Sequence, residues 1–157
     1  MDVGEIALRL GAAVVVGSAI GLNRDLREKP AGLRTHALVT MGAALVTLTA
    51  YGLAEASGRS DPEPASRAMQ GVITGIGFLG AGVILRPEGG RTVRGLTTAA
   101  SIWLAAALGI ACGAGLWPAV LIATALMLLV LIGGRPVERF LHRALGRDKS
   151  GREDRSG

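Results

Sequence analysis

No Asp, Glu, Lys or Arg occurs between Gly95 and Gly134, and the same holds from Thr35 to Ala54 and from Ala68 to Leu85. Uncharged apolar runs of about 18 residues or more are what a helix needs to cross a hydrocarbon core of roughly 30 Å. Within lipid each backbone polar group must be satisfied by its own segment or a closed barrel, so runs of this length fold as helices. A chain of 157 residues that is 50% apolar and 18% charged therefore reads as a single all-α integral membrane unit.

Five segments are predicted, over 6–22, 35–54, 68–85, 95–113 and 116–133. The last two have no charge between them, and their boundary falls where Gly113, Gly115 and Pro118 favour a tight reversal. Fourteen of the Lys and Arg residues lie in the loops after the first and third segments and in the tail, against Arg59 and Arg67 in the opposite loop. Cytoplasmic loops carry the excess of Lys and Arg, which places the N-terminus outside and the C-terminus inside. Tyr51 and Trp117 then fall at the outer helix ends, as interfacial aromatics do. Acidic Asp2 and Glu5 argue against a cleaved signal, so the first segment is expected to be retained.

The membrane unit covers 1–134. Residues 135–146 are expected to form a separate basic amphipathic helix opened by Pro136, lying against the anionic inner leaflet. Residues 147–157 have the composition of a disordered tail. An offset of 63 aligns Gly32 with Gly95, Thr35 with Thr98, Ala37 with Ala100 and Leu45 with Leu108, and it pairs Gly17 with Gly80 in the preceding segments. Two helical hairpins in parallel orientation are the architecture such a repeat implies.

The third segment is crowded with glycine. Its string from Gly75 to Gly80 matches the dinucleotide fingerprint GxGxxG, but no strand–turn–helix frame surrounds it, so a nucleotide site is rejected. At about 100° per residue, Gly71, Gly75 and Gly82 share one face, while Gly77 and Gly80 lie on nearly the opposite one. Small residues mark helix interfaces in lipid, so both faces are expected to pack and the third helix to sit at the centre of the bundle.

Thr97, Thr98 and Ser101 open the fourth segment, and Thr35, His36 and Thr40 open the second. Their hydroxyls either bond the adjacent helical turn or, with Arg34 and Arg94 beside two free helix N-termini, form an anion or ligand site on the cytoplasmic rim. The candidate interaction residues of that rim are Arg24, Asp25, Arg34, Thr35, Arg91, Arg94, Thr97 and Thr98. Arg9 is expected to pair with Glu5 one turn away, or to snorkel to the surface. Trp103 is expected to pack between helices, and the lone Cys112 to serve packing.

No carboxylate lies deep in any segment, whereas cation pumps and proton-coupled carriers place ionisable groups there and divalent cations want hard oxygen ligands. No catalytic triad, zinc motif or phosphate loop is present, so neither an enzyme nor a cofactor or metal site is expected. The high pI of about 10.6 reflects membrane topology rather than a nucleic-acid footprint, because the bases lie in short loops and the tail. The partners expected are the lipid bilayer and other membrane proteins, with self-association left open.

Three ordered blocks carry a resemblance: PAGLRTHALV from Pro30, GIGFLGAGVI from Gly75 and VRGLTTAASIW from Val93. Together they resemble the MgtC/SapB membrane protein family. The resemblance implies a bacterial inner-membrane protein linked to growth under magnesium limitation and, in pathogens, to survival inside host cells. It implies a modulator of other membrane machinery, the proton-translocating ATP synthase included, rather than a magnesium carrier. A small ion transporter or channel, with its path between the second, third and fourth helices, is the alternative. Two departures stand out. Asn23-Arg24-Asp25 replaces the family's common Glu-Arg-Glu, leaving Asp25 to supply any carboxylate role, and the soluble C-terminal domain of longer members is not expected here.

Overall fold

The computed structural model describes residues 1–56, 63–84 and 93–144, the last ten of these as backbone only. Five helices follow in order: α1 Val3–Asp25, α2 Leu33–Ala56, α3 Glu63–Gly82, α4 Leu96–Ala114 and α5 Trp117–Ala144. Four of them, α1, α2, α4 and the Trp117–Gly134 part of α5, have the length and apolar composition to cross a membrane. The described part of α3 does not reach that hydropathy, because Glu63, Ser66, Arg67 and Gln70 occupy its outer turns. The chain is a multi-pass, all-α membrane protein.

Local chemistry sets the helix ends. Asp2 caps α1, its carboxylate accepting from Gly4 N at 3.2 Å, which starts the helix three residues earlier than the apolar run alone suggests. Gly95, at φ 91°, precedes α4 in a left-handed conformation, where a Cβ would also run into the carbonyl of Val83. Gly115, at φ 73°, ends α4: its N–H reaches the Cys112 carbonyl and Leu116 N–H reaches the Ala111 carbonyl, each at 3.0 Å. This Schellman closure is the predicted reversal before Pro118.

The C-terminal expectation requires correction. Helical backbone runs without a break from Trp117 to Ala144, so Pro136 does not open a separate helix. Proline removes its own N–H from the ladder and crowds the carbonyl four residues back, a local cost that the flanking turns outweigh here. Residues 145–157, including the expected disordered tail, lie outside the described residues.

Packing centres on α2 and α4. The helix α1 lies against α2 and also touches α4; α3 lies against α4 and also touches α2. That exchange is the pattern expected of two hairpins in parallel orientation, although the first is the more closely packed. A Cβ on Gly17 would fall 2.5 Å from the His36 carbonyl, and one on Gly80 would touch Ala99, 63 residues beyond His36. The last helix, α5, breaks the symmetry by lying against α4 and α1.

The glycine expectation is also corrected. Cβ atoms on Gly71, Gly75, Gly77 or Gly82 would meet nothing within 4 Å, and the Gly80 contact with Ala99 is an ordinary 3.6 Å. Phe78, on the face of Gly71, Gly75 and Gly82, is 83% exposed. The third helix is therefore peripheral, not central. Close backbone approach is instead made by Gly17 and Gly21 on α1 and by Gly109 and Gly113 on α4. Cβ atoms on the latter two would lie 2.8 Å from the Ala43 Cβ and 2.6 Å from the Ala44 carbonyl. Trp103 likewise points outward, 46% exposed, rather than packing between helices. Cys112 is fully buried beside Ala13, Ala44 and Val120, as a small packing residue.

Candidate interaction site at the inner rim

Arg24 lies in the last turn of α1 with its side chain turned into the protein, and the residue is buried. Its guanidinium donates from Nη2 to Thr98 Oγ1 at 2.5 Å, joining the end of α1 to the first turn of α4 across 74 positions. A charged donor to a hydroxyl is among the stronger protein hydrogen bonds, and burial strengthens it further. The residue also folds the turn after it, since its carbonyl accepts from Arg27 N and Lys29 N at 3.1 Å each.

Asp25 faces the other way, to solvent. Its Oδ2 accepts from Leu33 N at 2.8 Å and so caps α2 from eight residues upstream. The side-chain oxygen of Asn23, by contrast, is buried with no hydrogen-bond partner among the described residues. Of the two positions flanking Arg24, the carboxylate thus sits at the one that closes the loop onto α2.

His36, fully buried, extends the cluster from α2. Its Nδ1 lies 2.9 Å from the Gly32 carbonyl and its Nε2 3.1 Å from Ser101 Oγ. A carbonyl only accepts, so Nδ1 carries the hydrogen. In the neutral ring Nε2 then accepts, and the single hydroxyl hydrogen of Ser101 serves both His36 and the Thr98 carbonyl, 2.8 Å away. Thr40, one turn further into the membrane, donates from Oγ1 to the Ala13 carbonyl of α1 at 2.7 Å. Polar groups thus tie α1, α2 and α4 together at their inner ends.

The predicted rim residues divide into two sets. Arg24 and Thr98 meet each other below the surface. Arg34, Thr35, Arg94 and Thr97 are exposed around them, on the first turn of α2 and at the start of α4. Arg91 lies outside the described residues. His36 and Ser101 were not among the expected interaction residues, yet they form the deepest polar contact between α2 and α4. Their spacing offered one signal: both lie at positions where the 63-residue repeat fails, His36 opposite Ala99 and Ser101 opposite Leu38. Among the described residues no group of three or more His, Cys, Asp or Glu is placed to hold a metal ion.

At the outer end Arg9 makes both contacts that its position allows. It pairs with Glu5 at 2.6 Å, as expected, and its Nη1 also donates to the Gly113 carbonyl of α4 at 2.7 Å.

The model of the MgtC family matches residues 10–140, which take in α2, α3 and α4 whole and most of α1 and α5. The chain belongs to the MgtC family. Its similarity to Protein SrpB of Synechococcus elongatus is 44% identity over 140 residues, 85% of this chain and 77% of that protein. Protein MgtC of Salmonella typhimurium is 44% identical over 121 residues, 77% of this chain and 48% of its own. An uncharacterized Haemophilus influenzae protein is 42% identical over 135 residues, 83% of this chain and 56% of its own. The chain thus spans about half the length of the last two relatives. No solved structure matches the chain. Within the family frame, the Arg24–Thr98 contact reaches the third of the three sequence blocks that carry the resemblance, and Asp25, beside Arg24, caps the helix that the first block opens.

Proposed function

We propose that this MgtC-family chain is a non-enzymatic modulator in the bacterial inner membrane, acting by binding other membrane proteins. The observation that carries the reading is the inner rim: an exposed set of Arg34, Thr35, Arg94 and Thr97 mounted on helix ends that Arg24, Asp25, His36 and Thr98 hold in place. Side chains displayed on pre-ordered helix ends lose little freedom on binding, which favours recognition. The family context makes adaptation to magnesium limitation and intracellular survival the setting, and a rotary ATP synthase a partner to examine.

The transport alternative receives less support. Its expected path between α2, α3 and α4 is filled by Ala43, Ile76, Ile102 and Ala106, an apolar cluster with Val39 and Val72 packed against it. An ion pathway needs polar lining or water at that depth.

Replacing Arg94 with Ala is expected to abolish complementation of a deletion strain under magnesium limitation while leaving membrane abundance unchanged. Full complementation by that variant would refute the rim as the binding surface. Purified protein in liposomes is expected to show no flux of Mg²⁺, K⁺ or H⁺, and measurable flux would restore the transport reading.

A further inference from the structure

Three polar contacts tie His36 and Ser101 into the bundle: His36 Nδ1 to the Gly32 carbonyl at 2.9 Å, His36 Nε2 to Ser101 Oγ at 3.1 Å, and Ser101 Oγ to the Thr98 carbonyl at 2.8 Å. Each contact needs one hydrogen, and the two carbonyls only accept. A neutral imidazole and one hydroxyl bring one hydrogen fewer than the contacts need. With the ring hydrogen on Nδ1, Ser101 must choose between Nε2 and the Thr98 carbonyl. With it on Nε2, Nδ1 and the Gly32 carbonyl meet lone pair to lone pair. Only the imidazolium serves every contact, donating from both nitrogens while Ser101 donates to Thr98. Both residues are buried, where a polar pair left without its hydrogen is costly.

The charged groups that face the ring, Arg24 and Asp25, both come from α1. On its own helix the nearest charge is Arg34, which is exposed. The helix α3 beyond Arg67, α4 apart from Cys112 near its outer end, and α5 as far as Gly134 carry no ionisable side chain. Asp25 is turned to solvent, capping α2 at Leu33. A proton on Nε2 therefore completes the hydrogen-bond set and at the same time places a second positive charge against Arg24. Like charges repel more strongly in a buried site than in water. The ring is fixed to the backbone of its own helix at Gly32, whereas Arg24 lies in the last turn of α1, where a long cationic side chain can turn out to the headgroups. Arg24 is the member that yields, and with it goes the bond to Thr98 that joins α1 to α4.

We propose that His36 is a proton-binding switch at the inner rim: a proton taken from water onto Nε2 releases Arg24 from Thr98 and loosens the first turn of α4. The inference rests on the modulator reading and gives that rim its regulation. Arg94 and Thr97 stand at the start of the element set free, so the rim is ordered for binding at neutral pH and loses that order as the cytoplasm acidifies.

The test places the full chain, isotope-labelled at the histidine ring nitrogens, in nanodiscs of phosphatidylethanolamine and phosphatidylglycerol. The chain has two histidines, and the ring signals that persist in His142→Gln belong to His36. Between about pH 8 and about pH 5.5 those signals are expected to pass from one bare and one protonated nitrogen to two protonated nitrogens. Over the same range, exchange protection of the amides from Ala99 to Ile102, corrected for the intrinsic pH dependence of exchange, should fall about tenfold. His36→Gln, with nothing to titrate at that position, should show no such fall. Ser101→Ala removes the acceptor for the Nε2 hydrogen without changing any charge, and both the proton uptake and the fall in protection are expected to disappear from this range. A His36 ring that stays neutral throughout would overturn the proposal. So would a ring that titrates while protection at α4 holds, or a fall of the same size in His36→Gln or Ser101→Ala. A neutral ring with Arg94→Ala still unable to complement removes the switch and leaves the modulator reading standing, whereas a titrating ring with full complementation by Arg94→Ala does the reverse.

Discussion

The two helical hairpins, α1–α2 and α3–α4, differ in tightness of packing. In α1–α2, Gly17 and Gly21 bring the helix backbones together, Thr40 donates across the interface to Ala13, and Asp25 closes the loop. In α3–α4 the corresponding glycine, Gly80, only grazes Ala99, and the other helical glycines of α3 face outward. Glycine content therefore does not measure packing. A glycine strengthens an interface only where a neighbouring backbone occupies the space its missing side chain leaves, and in this chain those neighbours sit beside α1 and α4.

The contrast can be broken deliberately. Gly109→Leu, which drives a side chain into Thr40 and Ala43 of α2, is expected to cost about 3 kcal/mol or more and to empty the membrane of folded protein. The matched Gly75→Leu should leave thermal stability in detergent within about 1 kcal/mol, and an equal loss from both would mean that α3 is enclosed after all. Thr98→Val comes next. It takes an acceptor from a buried guanidinium at nearly constant shape, and a loss of about 1–3 kcal/mol is expected, with hydrogen exchange rising at the start of α4 before anywhere in α3. Asp25→Ala is the smallest of the set, about 0.5–2 kcal/mol for a lost helix cap, and should be read as exchange confined to the first turn of α2.

Much of this fold is legible in the sequence because the dominant constraint is one-dimensional. An uncharged run has a length, a membrane has a thickness, and Gly113, Gly115 and Pro118 leave one place for the last reversal. The rim was legible as a set of residue types but not as an arrangement. Nothing in the spacing of Arg24 and Thr98, 74 residues apart, says that one buries against the other while Arg34 and Arg94 stay outside. The glycine faces of α3 follow from helix geometry, but their packing does not, for the same reason: a helical wheel gives directions, and only the tertiary arrangement says what stands in each direction. Pro136 misled through a positional preference that an established helix overrides.

The bond from Arg9 to the Gly113 carbonyl spans 104 positions, and that from Arg24 to Thr98 spans 74. Both arginines belong to α1, and both wait for α4, which is synthesised much later. Biogenesis of this protein consequently contains a built-in interval in which α1 is inserted with only Glu5 to satisfy Arg9 and without the hydroxyl that Arg24 reaches in the finished bundle.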